Sequence, residues 1–260
     1  MSSAAHPFKV KPVPGKGEGL VATRKILAGE YVLQEAPAVV LQEAGGPASY
    51  QVYEIKSVFL TNAFPVGDKD LGALCLTGAK LNHSCRPNVE RTWDEDANKM
   101  VFVALTDIEA GEEFTVAYVD VLYSSTNRQA RVQSICGFTC VCEVCTFFSK
   151  NRAASNRRRI EARSLWDNVI PVEKRPAKII KAVERVLELL AQEGPFVFHD
   201  ELCNYAAVAS LNNSDLAGAT KWFTLRAEVV GLRCGRNSTV YHEALAYIEA
   251  TLPSNRPSLW

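Results

Sequence analysis

The sequence predicts an α+β protein with a strand-rich first half and a helical second half. Residues 17–120 read as short strands and turns, whereas after residue 150 the strand patterns disappear and Leu, Ala, Glu and Arg dominate. Between them lies a cysteine-rich stretch that holds four of the eight cysteines. We therefore divide the chain into residues 1–125, 126–150 and 151–260, with a helical insert at about 45–80 in the first region.

The strands of the first half are short and are bounded by turn-forming residues. The candidates are Gly19 to Thr23, Tyr31 to Gln34, Ala38 to Leu41, Val89 to Trp93, Met100 to Leu105 and Phe114 to Val119. The fourth and fifth flank a polar loop at 94–99 and predict a hairpin. Ser49 to Ala63 is the most helical stretch of this half and supplies the predicted insert.

One local pattern occurs twice in the strand-rich half. Ile26-Leu27-Ala28-Gly29-Glu30 and Ile108-Glu109-Ala110-Gly111-Glu112 both place a glycine directly before an apolar run. Glycine adopts positive φ angles without steric cost, so each copy predicts a turn that leads into a strand.

The second half shows apolar residues at spacings of three and four, which predicts helices. The segments are 155–169, 176–192, 199–211, 215–233 and 239–252. Ser214 is a candidate cap for the fourth helix, and Gly235 is a candidate left-handed end. His199 to Gly235 resembles a tetratricopeptide-type helix pair. Three arginines at 157–159 predict a solvated helix face, with nuclear targeting as the alternative.

Charge and hydropathy exclude several classes of protein. The 29 acidic and 29 basic residues balance, so direct nucleic-acid binding is not expected. The N-terminus lacks the basic and apolar regions of a secretory signal, and no apolar run is long enough to cross a membrane. We therefore expect a cytoplasmic or nuclear chain, or both, whose cysteines are thiols or metal ligands.

The cysteine cluster indicates a metal site. Cys140, Cys142 and Cys145 lie close enough in sequence for one tight loop to point three sulfurs at a single zinc ion. The other explanation is a group of buried thiols. A closed zinc site needs a fourth ligand. The remaining cysteines are the candidates, namely Cys75, Cys85, Cys136, Cys203 and Cys234.

Three further segments carry polar or glycine-rich motifs. Leu81 to Asn88 is a polar run beside an apolar stretch, Gly111 to Tyr118 leads a strand to a tyrosine, and Gly15 to Leu20 is glycine-rich. The glycine run lacks the features of a phosphate-binding loop and of a dinucleotide fingerprint. Taken alone, His83 is more often a structural histidine and Tyr118 a core tyrosine.

In this order, the segments resemble the SET-domain family of protein methyltransferases. The branch that they resemble is the SET-and-MYND group with its fungal relatives, over about residues 9–148. The motifs are Lys16-Gly17-Glu18-Gly19-Leu20, Thr61-Asn62-Ala63-Phe64, Asn82-His83-Ser84-Cys85, Gly111-Glu112-Glu113 through Tyr118, and Cys140-x-Cys142-x-x-Cys145.

The resemblance implies a fold, a cofactor and site residues. It implies small sheets, a pseudoknot that brings Tyr118 to the Asn82 segment, and a zinc-binding post-SET segment. Tyr118 matches the catalytic tyrosine, and Cys85 matches the fourth ligand of one structural zinc beside Cys140, Cys142 and Cys145. The positions that match contacts to S-adenosylmethionine are Lys16, Glu18, Asn62, Asn82, His83, Tyr118 and Phe138.

The implied function is S-adenosylmethionine-dependent methylation of a histone or non-histone lysine by a monomeric enzyme. Two departures from the family matter. The MYND zinc finger is missing, so partner binding through it is not expected. Cys136 occupies a position where the family usually has an aromatic wall of the lysine channel. That departure supports an alternative: a weak or inactive SET-like scaffold that binds partners through its helical half. A zinc-binding regulator of nucleic acid is disfavoured by the balanced charge.

Overall fold

The computed structural model describes residues 6–42, 59, 61–66, 71–194, 199–236 and 238–252. It divides the chain into two compact units. The first contains residues 1–118 and 131–140, and the second contains residues 119–130 and 141–260. Ten strands and seven α-helices lie in the described residues.

The first unit is built from four small sheets. Two of them have two strands each: β1 (Phe8–Val13) pairs antiparallel with β2 (Gly17–Ala22), and β7 (Asn82–His83) pairs parallel with β10 (Thr115–Val116). The other two have three strands each, ordered β3 (Tyr31–Glu35), β9 (Lys99–Ala104), β8 (Val89–Asp94) and β4 (Val39–Gln42), β6 (Leu71–Leu74), β5 (Phe64–Pro65).

The predicted hairpin is confirmed as β8 and β9, which pair from Val89 opposite Ala104 to Asp94 opposite Lys99. Its turn is stabilised by the Asp94 carboxylate, which accepts a hydrogen bond from the Ala97 nitrogen at 2.9 Å. The β9 side chains join the core of this unit, where Phe102 is fully buried. This hairpin therefore anchors the chain directly after the polar run Leu81 to Asn88.

The repeated glycine pattern is also confirmed as a pair of turns. Gly29 and Gly111 have φ angles of 83° and 92°, in the left-handed region that favours glycine. The two copies contact each other, because Ile26 and Ile108 exchange backbone hydrogen bonds of 2.9 Å in both directions. The repeat thus marks two turns that close on one another.

Other predictions for this half differ from the structure. The strand expected at Phe114 to Val119 is only two residues long, Thr115–Val116. Strand β1 was not predicted, because four of its six side chains are exposed and show no alternation. Most of the predicted helix from Ser49 to Ala63 lies outside the described residues, as does much of the 45–80 insert. The described part of that insert includes β5, β6 and a short 3-10 helix at Gly78–Lys80.

The helices occupy the second half, with one ahead of the cysteine cluster. They are α1 (Ser125–Cys136), α2 (Glu143–Thr146), α3 (Ser149–Asn168), α4 (Pro176–Ala191), α5 (His199–Asn212), α6 (Leu216–Cys234) and α7 (Thr239–Thr251). The last four match the predicted segments to within one residue at each end, whereas α3 begins six residues before the predicted start at 155. Helix α1 was not predicted, since its apolar residues show little helical periodicity. Among the described residues, no helix is both long and apolar enough to cross a membrane.

In the second unit, helices α3 to α7 pack in sequence, each against the next. The buried faces supply a shared core that includes Val183, Leu190, Ala206 and Phe223. The predicted helix pair, α5 and α6, is therefore the middle of a longer stack. Such stacking gives each helix two neighbours against which to bury its apolar face.

Two local predictions in this unit were wrong. Asp215, and not Ser214, caps α6: its side chain accepts a hydrogen bond from the Gly218 nitrogen, while Ser214 has a φ angle of 57°. Arg159 does not lie on a solvated face. It is 0% exposed and donates to Glu193 at 2.8 Å and to the carbonyl of Val121 at 2.6 Å. Charge patterning alone predicted that Arg159 is exposed to solvent. The buried carboxylate of Glu193 instead binds its guanidinium inside the protein.

Candidate active site

Two segments that are far apart in sequence meet at the parallel pairing of β7 and β10. Asn82 lies opposite Thr115 and His83 opposite Val116, and the Ser84 nitrogen donates to the Val116 carbonyl at 3.0 Å. This pairing carries the chain directly to Tyr118. The tyrosine hydroxyl donates to the carbonyl of Leu81 at 2.6 Å. The segment from Thr115 to Tyr118 therefore contacts the polar run Leu81 to Asn88 at both of its ends.

The His83 side chain is satisfied inside the protein and is only 3% exposed. Its Nδ1 accepts a hydrogen bond from the Tyr118 backbone nitrogen at 3.0 Å. Because a backbone nitrogen can only donate, Nδ1 is unprotonated and Nε2 carries the proton of the neutral ring. Nε2 lies 3.4 Å from the sulfur of Cys85. The His83 side chain therefore holds the Tyr118 backbone in place, and the cofactor contact expected of His83 stays a prediction.

Three of the sequence-predicted residues come together in a polar cluster. Asn82 uses both hydrogens of its amide, one to the Glu18 carbonyl at 2.9 Å and one to the Glu113 carboxylate at 2.8 Å. Lys16 forms an ion pair of 2.6 Å with the same carboxylate, and Lys80 pairs with the Glu18 side chain. Glu113 and Lys80 were missed as site residues, although the motif that contains Glu113 was recognised.

Gly19 explains how the glycine-rich strand approaches this cluster. A Cβ atom at this position would lie 2.7 Å from Val13 Cγ2, 2.9 Å from Asn82 Nδ2 and 3.0 Å from Glu113 Oε1. Real Cβ atoms do not come that close to two of these atoms. A larger residue at this position would therefore push the side chains of Val13 and Asn82 out of place.

A cavity of about 390 Å³ lies beside this arrangement in the first unit. Its wall includes Asn62, Tyr118 and Phe138, three of the predicted site residues, together with Cys136 and the segment 61–65. Phe138 is 37% exposed, and its ring centre lies 6.5 Å from that of Tyr118. The described wall does not include Lys16, Glu18, Asn82 or His83. Asn82 directly follows Leu81, and His83 is hydrogen-bonded to Tyr118, so these two lie next to wall residues.

Arg91, on β8, also lines the cavity and was not predicted from the sequence. Its guanidinium donates to the Ala117 carbonyl at 2.5 Å, and its central carbon lies 5.4 Å from the centre of the Phe64 ring. These contacts fix a positive charge beside Tyr118. An arginine in a predicted hairpin strand carries no sequence signal for such a position.

Burial shapes the acid–base properties of the wall. It raises the pKa of Tyr118 to about 12, with smaller contributions from Cys136 and Glu113, while Arg91 acts in the opposite direction. Burial also raises the pKa of the Cys136 thiol. Both groups are therefore neutral at physiological pH, and Tyr118 can donate a hydrogen bond but does not act as an anionic base.

The predicted zinc ligands form a compact group of sulfurs. The sulfur atoms of Cys85, Cys140, Cys142 and Cys145 all lie within 4.8 Å of one another. Four thiolates at such separations suit the tetrahedral geometry that zinc adopts in structural sites. Cys136 is not a member of the group. Of the open candidates for the fourth ligand, the structure brings Cys85 to the other three.

The sequence has relatives that match the same region. Residues 17–119 match the profile of the SET domain. The chain is 31% identical over 175 residues to histone-lysine N-methyltransferase set5 of Schizosaccharomyces pombe, which covers 58% of this chain and 54% of that protein. It is 33% identical over 148 residues to N-lysine methyltransferase SMYD2 of Homo sapiens, which covers 51% of this chain and 34% of that protein.

A third relative, N-lysine methyltransferase SMYD2 of Gallus gallus, is 32% identical over 142 residues, covering 49% of this chain and 32% of that protein. The chain thus spans about half the length of the yeast relative and about a third of the vertebrate ones. The residues that match the SET profile include Asn82, Glu113 and Tyr118 of the candidate site, but not Lys16 or Phe138.

Proposed function

We propose that this chain, which contains a SET domain at residues 17–119, is an S-adenosylmethionine-dependent methyltransferase that modifies lysine side chains of proteins. The observation that carries the proposal is the position of Tyr118. It lies on the wall of the cavity with Asn62 and Phe138, and its backbone nitrogen donates a hydrogen bond to His83. Relatives named as lysine methyltransferases support the same reaction class.

The residues of the first unit fit the proposed cofactor. A volume of about 390 Å³ is within the range of about 300–1,000 Å³ that small-molecule sites occupy. Phe138 offers an accessible aromatic face, and the Asn82 cluster offers polar groups beside the cavity. Under this proposal, the cofactor is held by Lys16, Glu18, Asn62, Asn82, His83, Tyr118 and Phe138.

When bound, S-adenosylmethionine supplies an electrophilic methyl group, whose bond to sulfur breaks as the lysine nitrogen donates its lone pair. The protein must align a neutral amine with that methyl group, and alignment of reactants can lower a barrier by several kcal/mol. We assign the orienting role to the Tyr118 hydroxyl. A tyrosine whose pKa is raised to about 12 keeps its proton and can serve in this way at neutral pH.

The proposed zinc has a structural role. Cys85, Cys140, Cys142 and Cys145 provide the all-sulfur donor set of a closed site, and such sites contribute directly to folding free energy. The protein substrate, the monomeric state and the cytoplasmic or nuclear location remain predictions.

The test begins with calorimetric titration of S-adenosylmethionine into the whole chain. We expect binding by the wild type and a loss of about 1–3 kcal/mol for Asn82→Ala or for Phe138→Ala, from lost polar pairing and lost stacking area. Phe148→Ala is a matched control, because Phe148 is 88% exposed and lies outside the cavity wall. A wild type that does not bind the cofactor contradicts the proposal.

Methyl transfer is then assayed on an array of lysine-containing peptides, which also identifies the substrate sequence. One observation favours a second candidate function, a scaffold that retains the cofactor but has weak or no activity. Cys136 lies on the cavity wall, where the family usually has an aromatic side chain. Cofactor binding without methylation of any lysine peptide supports the scaffold, and Cys136→Tyr is then the variant that should restore activity.

A further inference from the structure

Arg91 places a positive charge on the wall of the cavity. The proposed methyl transfer does not by itself require that charge. Arg91 is the one charged side chain that the described residues contribute to the wall. The hydrogen bond to Ala117 and the contact with Phe64 hold its guanidinium in place. The charge is therefore a fixed part of the cavity and does not sample solvent freely.

Among the described residues, neighbouring groups leave this charge without a salt-bridge partner. No described carboxylate forms a salt bridge with Arg91, and the acidic group that acts on it, Glu90, is the adjacent residue on β8, whose side chain points to the opposite face of the strand. Glu113 is paired with Lys16. Tyr118 and Cys136, the titratable groups on the wall, are neutral at pH 7 because burial raises the pKa of each.

Burial lowers the pKa of Arg91 itself, but an arginine stays protonated over the pH range in which proteins are folded. The described part of the wall therefore carries a net positive charge at neutral pH. A lysine side chain entering as an ammonium ion meets a like charge in a partly desolvated space, whereas a neutral amine does not.

We propose that Arg91 selects the protonation state of the substrate, excluding the lysine ammonium from the cavity and admitting the neutral amine. This inference rests on the proposed function, because it takes the part of the cavity beside Arg91 and Tyr118 as the place where the target lysine enters to meet the cofactor. Before entry, the ammonium gives a proton to solvent, and the electron pair of the broken N–H bond stays on the nitrogen as its lone pair. That lone pair is the one that must form the new bond to carbon, so the admitted form is also the reactive form.

The size of the effect follows from Coulomb's law. Two unit charges about 7 Å apart, at an effective dielectric constant of about 20, repel each other by an amount that corresponds to between tenfold and a hundredfold in affinity. Arg91 is thus a specificity-determining residue for the acceptor. It does not need to contact the reacting atoms to act in this way.

The test uses two small probes of nearly the same shape, Nα-acetyl-lysine methylamide and Nα-acetyl-norleucine methylamide. Each is titrated into the full chain at pH 7, and binding is followed by ligand-observed NMR. We expect the wild type to favour the norleucine probe and Arg91→Met to reduce that preference by tenfold or more. Arg91→Lys keeps the positive charge and should keep the preference, so comparison of the variants separates charge from apolar contact.

A second readout is the pH dependence of lysine-probe binding. In the wild type, binding should strengthen between pH 7 and pH 10 as the amine loses its proton, and the gain should be smaller in Arg91→Met. Melting curves verify that each variant is folded, and Arg91→Gln replaces the methionine variant if that one is not.

An unchanged probe preference in folded Arg91→Met overturns the inference, and so does a wild type that binds neither probe. These outcomes are independent of the proposed function, which fails when S-adenosylmethionine does not bind. If a substrate peptide is methylated, the rising limb of the rate against pH should move to higher pH in Arg91→Met, since the bound amine then loses its proton less readily.

Discussion

The backbone nitrogen of Tyr118 donates a 3.0 Å hydrogen bond to Nδ1 of His83. With the bond from the tyrosine hydroxyl to the Leu81 carbonyl, it fixes the backbone and the ring of Tyr118 against the segment that contains Asn82. A side chain held at both ends loses little further freedom when a ligand arrives, which is the condition for a pre-organised catalytic group.

Tyr118→Phe tests this role. We expect a loss of stability of about 0.5–1.5 kcal/mol, because one hydrogen bond is removed, and a fall in methylation rate on the order of a hundredfold or more. Cofactor affinity should stay unchanged. Melting point, calorimetry and turnover are measured on the same preparation.

Tyr123→Phe is the matched control for this variant. Tyr123 lies in the second unit, where the Arg163 guanidinium is 5.1 Å from its ring centre, and its hydroxyl should not affect turnover. A wild-type rate for Tyr118→Phe would transfer the catalytic role to Tyr123. Since the pKa of Tyr118 is raised to about 12, the difference spectrum between wild type and Tyr118→Phe should show no tyrosinate below about pH 11.

Cys85→Ser is predicted to abolish zinc binding. We expect one zinc per chain in the purified wild type and less in the variant, because a tetrahedral site that loses a thiolate loses its closed coordination. The measurement is elemental analysis with a melting curve. Cys75→Ser serves as the control, since Cys75 is equally buried but lies outside the group of four sulfurs. Full zinc occupancy in Cys85→Ser would exclude Cys85 as the fourth zinc ligand and make Cys136 the next candidate.

Gly19→Ala is predicted to weaken S-adenosylmethionine binding and to destabilise the protein by about 1–3 kcal/mol. The added methyl group overlaps the side chains of Val13 and Asn82, and overpacking of this kind forces neighbours out of position. Calorimetry and thermal unfolding give the two quantities. If Gly19→Ala matches the wild type in both affinity and stability, the prediction is wrong and the side chains around Gly19 move aside without an energetic cost.

Glu193→Gln should destabilise the protein by about 3–5 kcal/mol at pH 7, because it leaves Arg159 buried without its counter-charge. Glu161→Gln is the matched control. Glu161 pairs with Arg185 on the surface, where such pairs contribute about 0–1 kcal/mol. Urea unfolding measures both, and equal losses in the two variants would contradict the prediction.

The same pair predicts a pH dependence. Burial acts to raise the pKa of Glu193, but the hydrogen bond from Ser155 and the charges of Arg159 and Arg158 hold it below its ordinary value of 4.5. Its contribution to stability is therefore complete above about pH 4.5 and is lost as the pH falls through the lower, folded-state value. The difference in unfolding free energy between wild type and Glu193→Gln should narrow in that range.

The sequence predicted well where local chemistry determines structure. The 94–99 loop, the glycines at 29 and 111 and the apolar spacing of the last five helices each act over a few residues, and each appears as expected. The two motifs that meet at β7 and β10 were recognised as parts of one site only through family resemblance. Their pairing spans more than thirty residues, a distance over which spacing and propensity carry no information.

The features that the sequence did not predict also depend on contacts between elements that are far apart in the chain. Strand β1 is held by pairing with β2 and not by an apolar face of its own, so no alternation marks it. Arg91 and Glu193 owe their environments to residues from other elements. A charged side chain in a sequence predicts exposure, and only the fold shows which charges lie in a cavity or a core.

The parallel pairing of β7 with β10 also bears on the order of events during synthesis. Parallel strands need a long connection between them, and here that connection is the stretch that forms β8 and β9. Phe138, on the cavity wall, follows β10 by more than twenty residues. A chain emerging from the ribosome therefore cannot complete the cavity wall until residue 138 has left the exit tunnel. Under the proposed function, cofactor binding then reports when this unit has completed its folding.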